Sequence, residues 1–259
     1  MRVVVDSGAC FSLDLRVVVS RFHMSAIGDG VVEMKDALLQ PGDASRTHCI
    51  RCGTCCMKGG PTLHKEDAVL FSIGLLKKAD VYTLRRGEVA RNIDDTLMVI
   101  EREMIKIKGQ GGSWSCMFYD DDENACRIYE ARPAECRALQ CWNLQGLREV
   151  MTRPCLQRTD LIDPGDGVLR IIEAHEEKCA YAILDAAVKG LQEAGSDEAA
   201  GKILDLLQYD DYLRPFLAEK LGMDPGVMDF FFGRPLKDTI RMHGLGVKKD
   251  GDGFLLTKA

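Results

Sequence analysis

The chain has 259 residues, 46% of them hydrophobic and 29% charged, a composition ordinary for a globular protein long enough to bury a sizeable core. A formal net charge of −6 gives no basic footprint for nucleic acid or for an anionic membrane surface. No apolar run reaches the length that a membrane helix needs.

The first stretch, MRVVVDSGACFSLDLRVVVS, is apolar in patches but broken by Asp6, Asp14 and Arg16, so it has no long apolar region of a secretory signal. Two readings stay open for it. Its alternating valines suit an edge hairpin, and Met24 suits a true initiator, which would make the first 23 residues a start-site artefact. Residues 25–40 place Val31, Val32, Met34, Leu38 and Leu39 at the spacing of a short helix that Pro41-Gly42 ends. The chain then divides into residues 1–40, an N-terminal segment; 41–160, a cysteine-cluster domain; 161–245, a helical extension; and 246–259, a Gly/Lys/Asp-rich tail.

Inside the cysteine-rich part, Leu63 to Leu76 reads as a helix with Ala68, Val69, Phe71, Leu75 and Leu76 on its apolar face and Thr62 as its cap. Leu97 to Lys108 is rich in β-branched residues, and Ile105-Lys106-Ile107-Lys108 alternates as a half-buried strand does. Trp114 to Tyr119 is the next expected strand. The acidic run Asp120–Glu123 followed by Asn124 lacks the ligand spacing and turn glycine of a calcium loop, so it reads as a solvated hairpin loop.

Further on, Asp163-Pro164 is an N-cap followed by proline at the first helical position. The stripe Val168, Ile172, His175, Cys179, Ala182, Ala186 keeps a helical period toward Leu191. Ser196, with Asp197 and Glu198 after it, starts another helix, and Tyr209 to Leu221 gives a third. These stripes indicate packing faces and carry no evident chemistry.

Eleven cysteines say more than any percentage. In a secreted chain they would suggest a disulfide framework, but such frameworks belong mainly to small domains. Here the count is odd and eight cysteines lie between positions 49 and 141, a pattern that in a reducing cytoplasm points to metal. The first motif is Cys49-Ile50-Arg51-Cys52-Gly53-Thr54-Cys55-Cys56. A Cys-x-x-Cys turn brings two sulfurs within reach of one ion, and a glycine beside the second lets the backbone turn tightly. A third cysteine three residues on resembles the ligand runs of iron–sulfur proteins, although the ferredoxin Cys-Pro ending and the radical-SAM spacing are both absent. Adjacent Cys55 and Cys56 would point to opposite sides of an extended backbone, so they would serve two centres or leave one thiol in a supporting role. Cys116, Cys126, Cys136 and Cys141 supply four more thiols, enough in total for two four-coordinate centres.

At these residues the chain resembles the CxxCxxCC, or YkgJ-type, cysteine-cluster family, described as zinc- or iron-chelating. The resemblance rests on Cys49 to Cys56, on Cys116-Met117-Phe118-Tyr119, and on the run from Cys126-Arg127-Ile128-Tyr129 through Arg132-Pro133 to Cys136-Arg137. It implies metal binding, with iron–sulfur and zinc both open. Relatives include a flagellin lysine N-methylase, whose role needs segments not matched here. Many relatives continue with a proline-aromatic segment where this chain has Ala138-Leu139-Gln140-Cys141-Trp142, which makes Cys141 the least secure of the eight.

Lone cysteines are usually small buried hydrophobes, which is the expectation for Cys10, Cys155 and Cys179. His48 and His64 are expected to support the site from outside or to lie on the surface. The fold expected is α+β: a small cysteine-rich, metal-stapled core with a short β-hairpin, plus a helical C-terminal extension. The expected ligands are Cys49, Cys52, Cys55, Cys56, Cys116, Cys126, Cys136 and Cys141, holding an iron–sulfur cluster, with a structural zinc site or an enzyme using the metal centre as alternatives. Trp114, Phe118 and Trp142 as aromatic cover favour iron–sulfur. The expected location is the cytoplasm. The sequence does not name a partner, substrate or oligomeric state, and a thioredoxin-like dithiol pattern is not present.

Overall fold

The computed structural model describes residues 47–91, 96–251 and 253–258; the expected helix over 25–40 and Cys10 lie outside the described residues. In chain order the elements are α1 (Thr54–Met57), α2 (Ala68–Ser72), β1 (Val81–Leu84), β2 (Val89–Arg91), β3 (Leu97–Val99) and β4 (Met104–Ile107). These are followed by β5 (Tyr119–Asp120), β6 (Ala125–Cys126), α3 (Ala134–Ala138), α4 (Gln145–Met151), α5 (Val168–Lys178) and α6 (Tyr181–Ala194). The chain closes with α7 (Asp197–Leu221), α8 (Met228–Phe232), α9 (Leu236–Thr239), β7 (Leu245–Asp250) and β8 (Gly253–Lys258). The strands form antiparallel pairs β1–β4, β2–β3, β5–β6 and β7–β8, so the class is α+β with a helical C-terminal part. Among the described residues, no helix is long and apolar enough to cross a membrane.

The alternation read at Ile105-Lys106-Ile107 sets one side of the β1–β4 pair on the core. Ile105 and Ile107 are 0% and 1% exposed, opposite Thr83 and Val81, and each contributes about 1.5–3 kcal/mol by leaving water. That core also takes Leu63, Leu70, Leu76, Cys116 and Tyr119 from the cysteine-rich part and Leu217, Met228 and Phe230–Phe232 from the C-terminal part. Thr83 Oγ1 donates to the Phe230 carbonyl at 2.6 Å, satisfying a buried hydroxyl between strand and helix. A second core joins α6, α7 and α9 to the β7–β8 hairpin, which the sequence reads only as a tail.

Several boundaries differ from the sequence reading. The helix expected over Leu63–Leu76 is a short turn at Lys65–Asp67 running into α2; Thr62 pairs with Lys106 as a β-bridge instead of capping it, and Val69 is exposed. Of the strand expected over Trp114–Tyr119, only Tyr119 is in β5, and Trp114 is exposed; the turn after Asp120 is the expected loop, with Asn124 at φ 48°. Asp163 lies in a turn before α5, which starts at Val168. The stripe from Val168 is split by Cys179 and Ala180 into α5 and α6. Ser196 caps α7 as expected, its side chain accepting from the Ala199 amide, but α7 continues across Pro215 and absorbs the separate third helix.

A buried charge network, joined at Glu176 between Arg85 and Arg158, binds the helices to the strands. Arg85 Nη1 lies 3.3 Å from His175 Nδ1; a guanidinium only donates, so Nδ1 accepts and the neutral imidazole donates from Nε2 to Asp210 Oδ1 at 2.9 Å. Burial lowers the His175 pKa accordingly. Burial alone would raise Asp210, but the His175 hydrogen bond and Arg214 hold it down to about 2. Arg158, also buried, donates to Glu103 at 2.9 Å and Glu176 at 2.7 Å.

Candidate metal centre

The first motif is a loop wound by left-handed backbone. Arg51 has φ 56° and Gly53 φ 73°, and Gly53 leads directly into α1. A Cβ at Gly53 would fall 1.9 Å from Tyr119 Oη, so the absent side chain is what lets the loop rest on β5. Tyr119 is buried, and its hydroxyl donates to Asn124 Oδ1 at 3.0 Å. One interaction thus joins the first motif, the segment after Cys116 and the turn before Cys126.

Further contacts hold the cysteine segments together. The Cys116 amide donates to the Cys56 carbonyl at 2.8 Å, and the Arg127 amide to the Phe118 carbonyl at 2.8 Å. Tyr129 is covered by two guanidiniums, Arg51 at 4.4 Å from the ring centroid and Arg132 at 3.7 Å. These cations belong to the first and third cysteine segments and bring positive charge to where thiolates gather.

Cys136 is set by the start of α3. Asp67, 1% exposed, accepts from the Ala134 amide through Oδ1 and from the His64 amide through Oδ2, both at 2.9 Å. It therefore satisfies an orphan donor of the short helix from another segment. Glu135, next to Cys136, accepts from the Thr62 amide at 2.8 Å and lies 3.3 Å from His64 Nε2, a partnership that raises the His64 pKa. His64 supports this wall of the site, and His48 is exposed.

All eight expected ligands line one cleft of 1270 Å³, together with Trp114, Phe118 and Trp142. Cys49, Cys52 and Cys55 are exposed, Cys116 is buried, and Cys56, Cys126, Cys136 and Cys141 are intermediate; none of the described cysteines is in a disulfide. Burial raises the Cys116 and Cys136 thiols, and the charges of neighbouring Cys55 and Cys126 act in the same direction, which places these cysteines close to one another. Among the described residues, no three His, Cys, Asp or Glu side chains are already gathered tightly enough to hold an ion. The donor set nevertheless fits a thiolate-bound metal: soft sulfur ligands from separate segments, with nearby cations and aromatic cover.

The extended-backbone argument for Cys55 and Cys56 does not hold here. Both lie on α1, where successive side chains are roughly 100° apart instead of opposite. The neighbouring Cys56 thiol lowers Cys55 to about 6 and is itself raised, so Cys55 is the more acidic of the two.

Cys179 is fully buried in the helical core as expected, with its thiol pushed up by burial to about 12. Cys155 is different. It forms a β-bridge with His64 and lines the cleft, where Glu135 and Lys106 act on it. Sequence reading missed it because its partners lie roughly 20 to 90 positions away; the one local hint was its place directly after Pro154.

No curated protein and no solved structure matches the chain. Residues 48–156 match the family model CxxCxxCC, described as a "putative zinc- or iron-chelating domain".

Proposed function

We propose that the cleft holds an iron–sulfur centre through the thiolates of Cys49, Cys52, Cys55, Cys56, Cys116, Cys126, Cys136 and Cys141. The observation that carries this reading is that cysteines from distant segments line a single cleft without pairing as disulfides. Uncompensated, so many neighbouring thiols would be oxidised or mutually repelled on ionisation; a metal converts that repulsion into coordination. Iron–sulfur is supported by the third cysteine of the first motif and by Phe118 and Trp142, which are partly buried on the cleft wall. When bound, such a centre supplies electron transfer or a Lewis-acidic iron, and this chain's part is to provide thiolate ligands, counter-charge from Arg51 and Arg132, and cover from solvent.

A second reading, structural zinc, is favoured by the Cys49-x-x-Cys52 pair, a usual half of a tetrahedral site. Protein purified without oxygen decides between them. The expected result is brown protein containing iron and acid-labile sulfide. Colourless protein with near-stoichiometric zinc and no sulfide would establish the second reading, and protein with neither metal would end both.

A further inference from the structure

The β1–β4 pair has a second face, and it does not meet open solvent. Tyr82, Leu84, Met104 and Lys106 lie on the side away from the core and line the cleft, where Tyr82, Leu84 and Met104 also pack with Ala90 and Ile100 in a third apolar cluster. Lys106 is thus a cation in an otherwise apolar wall. Its ammonium makes one long hydrogen bond, 3.4 Å to Thr62 Oγ1, and no ion pair with a carboxylate among the described residues. Its neighbours are treated differently. Lys108 reaches Asp229 at 3.2 Å and the Gly226 carbonyl at 2.9 Å, and Arg234 is held by Glu88 at 2.6 and 2.7 Å. Lys106 is half-buried, and although Glu135 acts on it from beyond ion-pair distance, burial pushes its ammonium down. Space is available for a missing partner. The cleft's 1270 Å³ exceeds the roughly 300–1,000 Å³ of ordinary ligand pockets, leaving room beside a metal centre.

We propose that Lys106, with the apolar wall of Tyr82, Leu84 and Met104, binds a small amphipathic monoanion: a carboxylate head on the ammonium and an apolar tail along the strands. One ammonium suits one negative charge. A phosphate dianion draws several donors, often an arginine fork, and Arg234 is already engaged by Glu88. This site shares the cleft with the cysteines but uses none of them, so it stands or falls separately from the metal reading.

Isothermal titration calorimetry on the full chain, with metal content measured in each sample, tests it with octanoate, acetate and octylamine. Octanoate should bind, acetate at least about 10-fold more weakly, and octylamine not measurably. Lys106→Met, which keeps the side-chain length and removes the charge, should lose octanoate at least about 10-fold without losing metal; Lys106→Gln should do the same, and a thermal melt shows that each variant is folded. No octanoate binding to the wild type, equal binding of octylamine, or undiminished binding to both folded variants would each overturn the proposal. Octanoate binding to wild type that contains no metal would support this site while ending the metal reading.

Discussion

Replacing Gly53 by alanine should disable the cysteine cleft without touching a thiol. The new Cβ must occupy left-handed backbone at φ 73°, which costs about 1–2 kcal/mol for an L-residue. It also meets Tyr119 Oη at 1.9 Å and Cζ at 2.4 Å, and that ring, 3% exposed, has little free space to move into. Overpacking of this kind costs about 1–3 kcal/mol, so the sum is about 2–5 kcal/mol. Displacing the ring would also strain its bond to Asn124 in the turn before Cys126, so metal retention should fall with stability. Urea unfolding of metal-loaded and metal-free protein measures the first, and metal analysis the second. A Tyr119→Ala partner removes the ring; in that background Gly53→Ala should cost only the backbone share, about 1–2 kcal/mol. If Gly53→Ala is within about 0.5 kcal/mol of wild type with full metal content, the first motif does not rest closely on the Tyr119 ring.

Cys155→Ala and Cys179→Ala should both retain metal, because Cys179 is inside the helical core and Cys155 faces Lys106 and Glu135; a large metal loss from either would enlarge the ligand set. Acid should weaken the fold in two stages. Asp210 is held at about 2 in the folded state, against about 3.9 unfolded, so its roughly 2–3 kcal/mol is intact above pH about 4 and disappears toward pH 2. His175 is lowered, so the unfolded chain gains protons first below about pH 6.5 and stability declines there too. The stability gap between wild type and Asp210→Asn should therefore narrow below pH 4, and a gap independent of pH would count against the network. Arg158→Met leaves Glu176 with Arg85 alone and Glu103 with only the backbone amide of residue 158, and should cost about 1.5–3 kcal/mol in urea unfolding; a change under about 0.5 kcal/mol would mean that solvent already screens them.

Local signals in the sequence were dependable where one side chain decides the local backbone. Ser196 caps α7, Ile105 and Ile107 are buried by strand alternation, and His175 and Cys179 follow the helical stripe into the core. Boundaries were less legible where tertiary bonds decide. Thr62 looked like a cap, yet its amide serves Glu135 seventy-three residues away. Asp163 looked like a helix start, yet α5 begins only at Val168. The cysteine motifs were plain in the chain, but the helical turn under Cys55 and Cys56 was not, since a four-residue helix has no periodicity to read. Lys106 was hidden for a further reason. In a strand pattern a polar position reads as solvent-facing, and only the folded cleft shows that this face is enclosed.

X-ray absorption at the metal edge of anaerobically purified protein tests the central claim most directly, because it reports ligand atoms irrespective of activity. The account predicts a first shell of sulfur, at about 2.3 Å if the metal is zinc, with a further iron neighbour if it is an iron–sulfur cluster. That shell should lose sulfur in Cys52→Ser and Cys136→Ser. A shell dominated by nitrogen or oxygen, or one unchanged in both variants, would contradict it.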